Sequence, residues 1–172
     1  MGRENTALVA AVARSNGIDS LALPPADLGT APRARAVASG KECIPALLVL
    51  GAILEYLAKQ PKDEDRVHLL FMPITTGPCR TGQYAIFYQA LFQELGYRNV
   101  VILSLNSDSS YSELGLQFNR DLWRMICVAD YMRDVTAAVR ALAVDPVAGL
   151  AEVDAVMKEM VDAAEHLSLI HI

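Results

Sequence analysis

Three side chains in this sequence can act both as nucleophiles and as soft metal ligands: Cys43, Cys79 and Cys127. Cys43 lies in Gly40-Lys41-Glu42-Cys43-Ile44-Pro45-Ala46, directly ahead of a proline suited to the first turn of a helix. Cys79 lies in Gly77-Pro78-Cys79-Arg80-Thr81-Gly82-Gln83-Tyr84, after an apolar run, Val67 to Met72, and ahead of an amphipathic one, Gln83 to Leu95. Both cysteines therefore precede helix starts, where the backbone dipole favours a thiolate. In an open α/β sheet, loops of this kind at the carboxyl ends of strands are where ligands bind. Two thiolates meeting there form a soft site suited to an iron–sulfur cluster or zinc. Their spacing is not that of a CxxC pair, and two small buried cysteines fit the same pattern.

Other chemistry finds less support. A Cys-x5-Arg phosphate loop starting at Cys79 needs arginine where Ala85 stands. The Gly77–Gly82 loop lacks the Gly-Lys-Ser/Thr ending of a nucleotide-binding P-loop. His68 falls within an apolar strand and reads as a core histidine, and His166 is not placed as a base. Cys127, between Ile126 and Val128 in a helical stretch, reads as core packing.

The elements that must hold these residues alternate. Helices are expected over Thr6–Ser15 with a stop at Asn16-Gly17, behind Pro45 over Leu47–Leu57, and over Gln83–Leu95 with a stop at Gly96. Leu116–Leu142 reads as one long helix or two, and Pro146–His166 as a last amphipathic helix. Strands are expected over Ile18–Leu23, over Val67–Met72 with a stop at Pro73, and over Val100–Leu105. The last two are apolar without alternation, which implies burial on both faces of a parallel sheet. The segments Ala26–Lys41 and Asn106–Ser112 read as polar connections. The expected fold is α/β: a layered α/β/α domain with a mostly parallel, Rossmann-like sheet, followed by C-terminal helices.

Composition narrows the function. Of 172 residues, 53% are hydrophobic and 20% charged, which excludes disorder. A net charge of −5 and 6% aromatics disfavour nucleic-acid binding. The longest apolar run, Ile44 to Leu54, is about half a bilayer span, so no membrane partner is expected. Three widely spaced cysteines are not a secreted disulfide framework, and a cytoplasmic location is expected.

The strings Gly40–Ala46, Met72-Pro73 and Gly77–Tyr84 resemble the 2-hydroxyacyl-CoA dehydratase-like family, in particular its CoA-substrate-specific enzyme activase-related proteins. Gly17-Ile18, Leu23-Pro24-Pro25, Leu95-Gly96-Tyr97 and Trp123 to Asp130 extend the likeness over about residues 1 to 140. In that family an ATP-driven activator passes one electron to a cluster-bearing partner, which removes water from a 2-hydroxyacyl-CoA through a ketyl radical. The resemblance implies a 4Fe-4S cluster with Cys43 and Cys79 as ligands, serving low-potential electron transfer in CoA-thioester chemistry. Arg80, Gln83 and Tyr84 would hydrogen-bond around the cluster or a ligand, with Lys41 and Glu42 lining the same site. Implied partners are an ATPase activator module, further domains of a longer polypeptide and a CoA thioester.

This sequence departs from the family in two respects. Two motif cysteines are fewer than a cluster requires, so the remaining ligands would lie outside this chain or be non-protein. The family's ATPase motifs are absent, so the chain is not expected to hydrolyse ATP alone. Two other readings stay open: a non-catalytic α/β scaffold without a cluster, and a thiol-dependent enzyme using Cys79. By domains, residues 1–142 are read as the iron–sulfur lobe lacking its first strand, and 143–166 as a C-terminal helix. Residues 167–172 match the translation of a transposon end used in sequencing-library preparation and are read as a non-native tail.

Overall fold

A computed structural model describes residues 3–61, 65–74, 77–106 and 114–166. The suggested tail, 167–172, and most of the connection after residue 106 lie outside the described residues. The chain is mixed α/β and mostly helical, with a two-stranded parallel sheet among the described residues. Its elements are α1 (Arg3–Ser15), α2 (Ala31–Arg35), α3 (Ile44–Lys59), β1 (His68–Ile74), α4 (Thr81–Glu94), β2 (Val100–Asn106), α5 (Leu116–Leu142) and α6 (Pro146–Glu165). They divide into two compact units, one within residues 23–113 and one formed by 1–22 with 114–172. The lobe expected over 1–142 therefore draws on both units.

The first unit carries the sheet. β1, α4 and β2 form one crossover, with His68 opposite Val100 and Ile74 opposite Asn106. Alternate residues of the strands, Met72 and Val100 buried and Leu70 and Ile102 half-buried, face a core built on α3 and α4. Within it Leu50, Tyr88 and Phe92 are fully buried, and Tyr84, Tyr88 and Phe92 follow one another at four-residue spacing along α4. Burying such aromatic side chains supplies much of a small core's apolar area.

Three expectations are corrected in this unit. The sheet is not buried on both faces: Leu69 is 54% exposed and its partner Val101 46%. The strand does not stop at Pro73. The His68 N–H donates to the Asn99 carbonyl, so by parallel-ladder alternation even-numbered β1 residues donate to β2. Pro73 thus lacks an N–H only on the outer edge, where no strand pairs with it among the described residues. The third correction concerns the polar connection 26–41, which contains the short helix α2 with Pro32 in its first turn.

The second unit packs α1, α5 and α6 around Leu8, Ala11, Ala129, Met132, Val153 and Met157. Gly17, at φ +78°, ends α1 in the left-handed conformation that glycine adopts without strain. Residues 18–23 beyond it form no strand; Leu21 is exposed, and among the described residues no strand pairs with it. Arg14 ties this segment to the bundle, bonding the Ser20 carbonyl at 2.7 Å and the Glu165 carboxylate at 2.9 Å. α5 is one continuous helix of 27 residues.

Asp145 caps α6, its carboxylate accepting from the Val147 and Ala148 N–H groups at 3.0 Å each. Asp145→Ala is expected to cost about 1 kcal/mol. Denaturant unfolding should show this loss, and Asp145→Asn should recover most of it. Among the described residues no helix is long and apolar enough to cross a membrane.

Candidate functional site

The cleft between residues 39–46 and the start of α4 is set by two local structures. Gly40, at φ +83°, turns the chain, and the Glu42 carboxylate closes that turn. It accepts from the Ser39 N–H at 3.1 Å, the Ser39 hydroxyl at 2.8 Å and the Gly40 N–H at 2.9 Å. These bonds, the Ser39 hydroxyl foremost, hold the Glu42 pKa below the usual carboxylate value. The chain then extends through Cys43, the residue before α3, and Pro45 begins the helix. On the other side α4 begins at Thr81, two residues earlier than expected.

Two bonds join these segments. Arg80 Nη1 donates to the Lys41 carbonyl at 2.8 Å, and Cys43 Sγ lies 2.7 Å from the Tyr84 hydroxyl. Below them the Tyr88 hydroxyl donates to the Ala46 carbonyl at 2.6 Å inside the core. The resulting cleft has a volume of about 170 Å³. Lys41, Glu42, Cys43, Arg80, Gln83 and Tyr84 line it together with Ala46 and Phe87. Six of the seven residues singled out in the sequence thus share one concavity.

The seventh, Cys79, does not line the cleft. It is exposed, with Sγ 3.1 Å from the Thr81 hydroxyl. Both thiols are biased towards the anion. Cys43 is lowered chiefly by the Tyr84 hydroxyl, with help from the Ala46 N–H, which closes no cap hydrogen bond, and from the Arg80 charge. Cys79 is lowered by the Thr81 hydroxyl and then by the Thr81 N–H. Tyr84 responds in the opposite sense and is pushed up to about 12, first by burial and then by Cys43, with a further contribution from Cys79.

No family model, curated protein or solved structure matches the chain. The site is accordingly read from its own chemistry. Cys127 is exposed on α5, in the other unit, which corrects its expected core position. His68 is buried as expected, its Nδ1 3.4 Å from the Tyr56 hydroxyl and its ring edge-on to that tyrosine. His166 follows α6, with Nδ1 2.7 Å from the Asp162 carbonyl. Among the described residues no three His, Cys, Asp or Glu side chains converge on one metal position. The cleft thus offers one soft donor, the Cys43 thiol, with Cys79 exposed outside it, and does not by itself complete a four-ligand set. Sequence reading missed Thr81, whose hydroxyl holds the Cys79 thiol. A hydroxyl residue two positions after a cysteine at a helix start is the signal that marks it.

Proposed function

We propose that this chain carries part of an iron–sulfur site of the 2-hydroxyacyl-CoA dehydratase-like kind, with Cys43 and Cys79 as two thiolate ligands. The observation that carries this reading is the convergence of Cys43, Tyr84, Arg80, Lys41, Glu42 and Gln83 on one cleft. When bound, such a cluster supplies one-electron transfer at low potential. The chain's own groups hold and shield that charge. Tyr84 donates to the Cys43 sulfur, Thr81 holds the Cys79 sulfur, and Arg80 fixes the distance between the two loops through the Lys41 carbonyl. Hydrogen bonds of this kind to ligating sulfurs orient them and tune the metal. The remaining ligands come from outside the cleft, in further domains of a longer polypeptide or as a non-protein group.

On this reading the two-stranded sheet is the visible part of a layered, Rossmann-like lobe, and Leu69 and Val101 mark the face that a further layer covers. The partners are an ATPase activator and a CoA thioester, in a cytoplasm that keeps thiols reduced. The test is anaerobic reconstitution with iron and sulfide, followed by absorption and electron paramagnetic resonance. Cys43→Ser and Cys79→Ser are each expected to lose or change the cluster spectrum, and Cys127→Ser to leave it intact. Unchanged spectra in both of the first two variants would remove the assignment.

A second reading rests on Cys79 alone, which is exposed, activated by Thr81 and outside the cleft. It makes the chain a thiol-dependent enzyme. Alkylation of Cys79 that abolishes an activity indifferent to iron would favour it.

A further inference from the structure

Phe87 lines a second depression as well, of about 280 Å³, together with Ala90, Leu91 and Glu94 of α4 and with Val37, Ala38 and Ser39. The two depressions share that ring, and their α4 residues lie in line, so they are read together as one groove. Arg80, Tyr84, Phe87, Leu91 and Glu94 recur at three- and four-residue spacing, so they form one face of the helix. At 1.5 Å per residue, the run from Arg80 to Leu91 is about 16 Å long.

This groove has two ends of different chemistry. One carries the cations Lys41 and Arg80, and its neighbouring carboxylate, Glu42, is engaged by the turn at Ser39 and Gly40. The middle is apolar, with Phe87 half-buried, Leu91 buried and Ala90 exposed but small. The far end carries a carboxylate, Glu94. An elongated ligand with an anionic head is therefore attracted at the Arg80 end and repelled at the Glu94 end, which fixes its direction.

We propose that this groove binds a free, unbranched aliphatic carboxylate, with its head at Lys41 and Arg80 and its chain over Phe87, Ala90 and Leu91. The proposal does not rest on the iron–sulfur reading, since neither Lys41 nor Arg80 is a proposed cluster ligand, but the ligand's head lies in the cleft assigned to the cluster, so the two are alternative occupants of that cleft. The length of the run suits a medium chain, and a dilute anionic vesicle in the test separates a free carboxylate from a lipid headgroup.

The test uses the full chain, free of iron, titrated calorimetrically with hexanoate, octanoate and decanoate, and with decylammonium and a dilute anionic phospholipid vesicle. Affinity is expected to rise about threefold to fourfold per added methylene, and decanoate is expected to bind well ahead of decylammonium. Ala90→Trp, at an exposed helix position, is expected to remove the dependence on chain length while leaving the helical circular dichroism signal unchanged. Arg80→Glu and, separately, Lys41→Glu are expected to weaken decanoate by tenfold or more and to narrow its lead over decylammonium. Equal affinity across the series, unchanged binding in Ala90→Trp, or binding to the vesicle with none to decanoate would each overturn the proposal. Because no iron is present, failure of the carboxylate to bind overturns this proposal alone and leaves the cluster assignment to the reconstitution test.

Discussion

Gly51→Ala is expected to destabilise the sheet-bearing unit by about 1–3 kcal/mol. Helix propensity alone says the reverse, since alanine in place of glycine inside a helix is worth about 1 kcal/mol in its favour. Space decides the sign. A Cβ at position 51 would stand 2.3 Å from the Thr30 carbonyl oxygen and 2.8 Å from its carbon. These are backbone atoms at the start of α2, so no rotamer change relieves the clash. Either α2 withdraws from α3, opening the contact that buries Ala34 and Leu50, or α3 itself shifts. The chain from α2 leads directly into Ser39–Cys43, so the loss is expected to reach the candidate site. Hydrogen exchange in α2 and α3 should quicken, while that of α1, α5 and α6 should not. A Gly51→Ala chain as stable as the parent would show that the two helices do not approach as described.

The parts of the fold that sequence reading anticipates are those with local causes. α3 follows from Pro45 and an unbroken apolar run, α4 ends where Gly96 takes a positive φ, and α6 begins at the Asp145-Pro146 pair. The misreadings come from causes that are not local. Side-chain type suggests a strand over 18–23, but a strand exists only with a partner, and none pairs with it among the described residues. Pro73 looks like a stop until its edge position is known. α5 joins α1 and α6 through contacts between opposite ends of the sequence, which no local pattern announces.

The candidate site divides in the same way. Lys41, Glu42, Cys43, Arg80, Gln83 and Tyr84 are legible because they belong to two short, unusual strings that turn out to face each other. Cys79 shows that a shared string does not mean a shared environment, since its neighbour Arg80 lines the cleft and it does not. Ile126 and Val128, the sequence neighbours of Cys127, suggest a core position. A helix turns about 100° per residue, so the better guides are the residues four away. Those are Trp123 and Tyr131, and both are exposed.

Raising the pH above 10 is expected to remove stability from the sheet-bearing unit, with Tyr88 as the main cause. Its hydroxyl donates to the Ala46 carbonyl in the core, its side chain is fully buried, and that burial holds its pKa well above the ordinary phenol value. In the unfolded chain the same phenol ionises near 10. Below that pH both states hold the proton and the contribution is complete. Above it only the folded state does, so stability falls by about 1.4 kcal/mol for each further pH unit. Tyr84, pushed up to about 12, adds a smaller loss over the same window, because its hydroxyl borders the open cleft. The two thiols act in the opposite direction at lower pH. Cys43 and Cys79 are lowered from an ordinary value of about 9, so their contribution grows as the pH rises through their folded values and is complete above 9. The unit is thus expected to gain from its thiols up to about pH 9 and to lose to its tyrosines beyond 10. Tyr88→Phe separates the two trends. It should cost about 1 kcal/mol at neutral pH through the lost hydrogen bond, and it should remove most of the alkaline slope. An alkaline slope that survives this substitution would show that some other group carries it, and that the Tyr88 phenol does not remain protonated in the folded core.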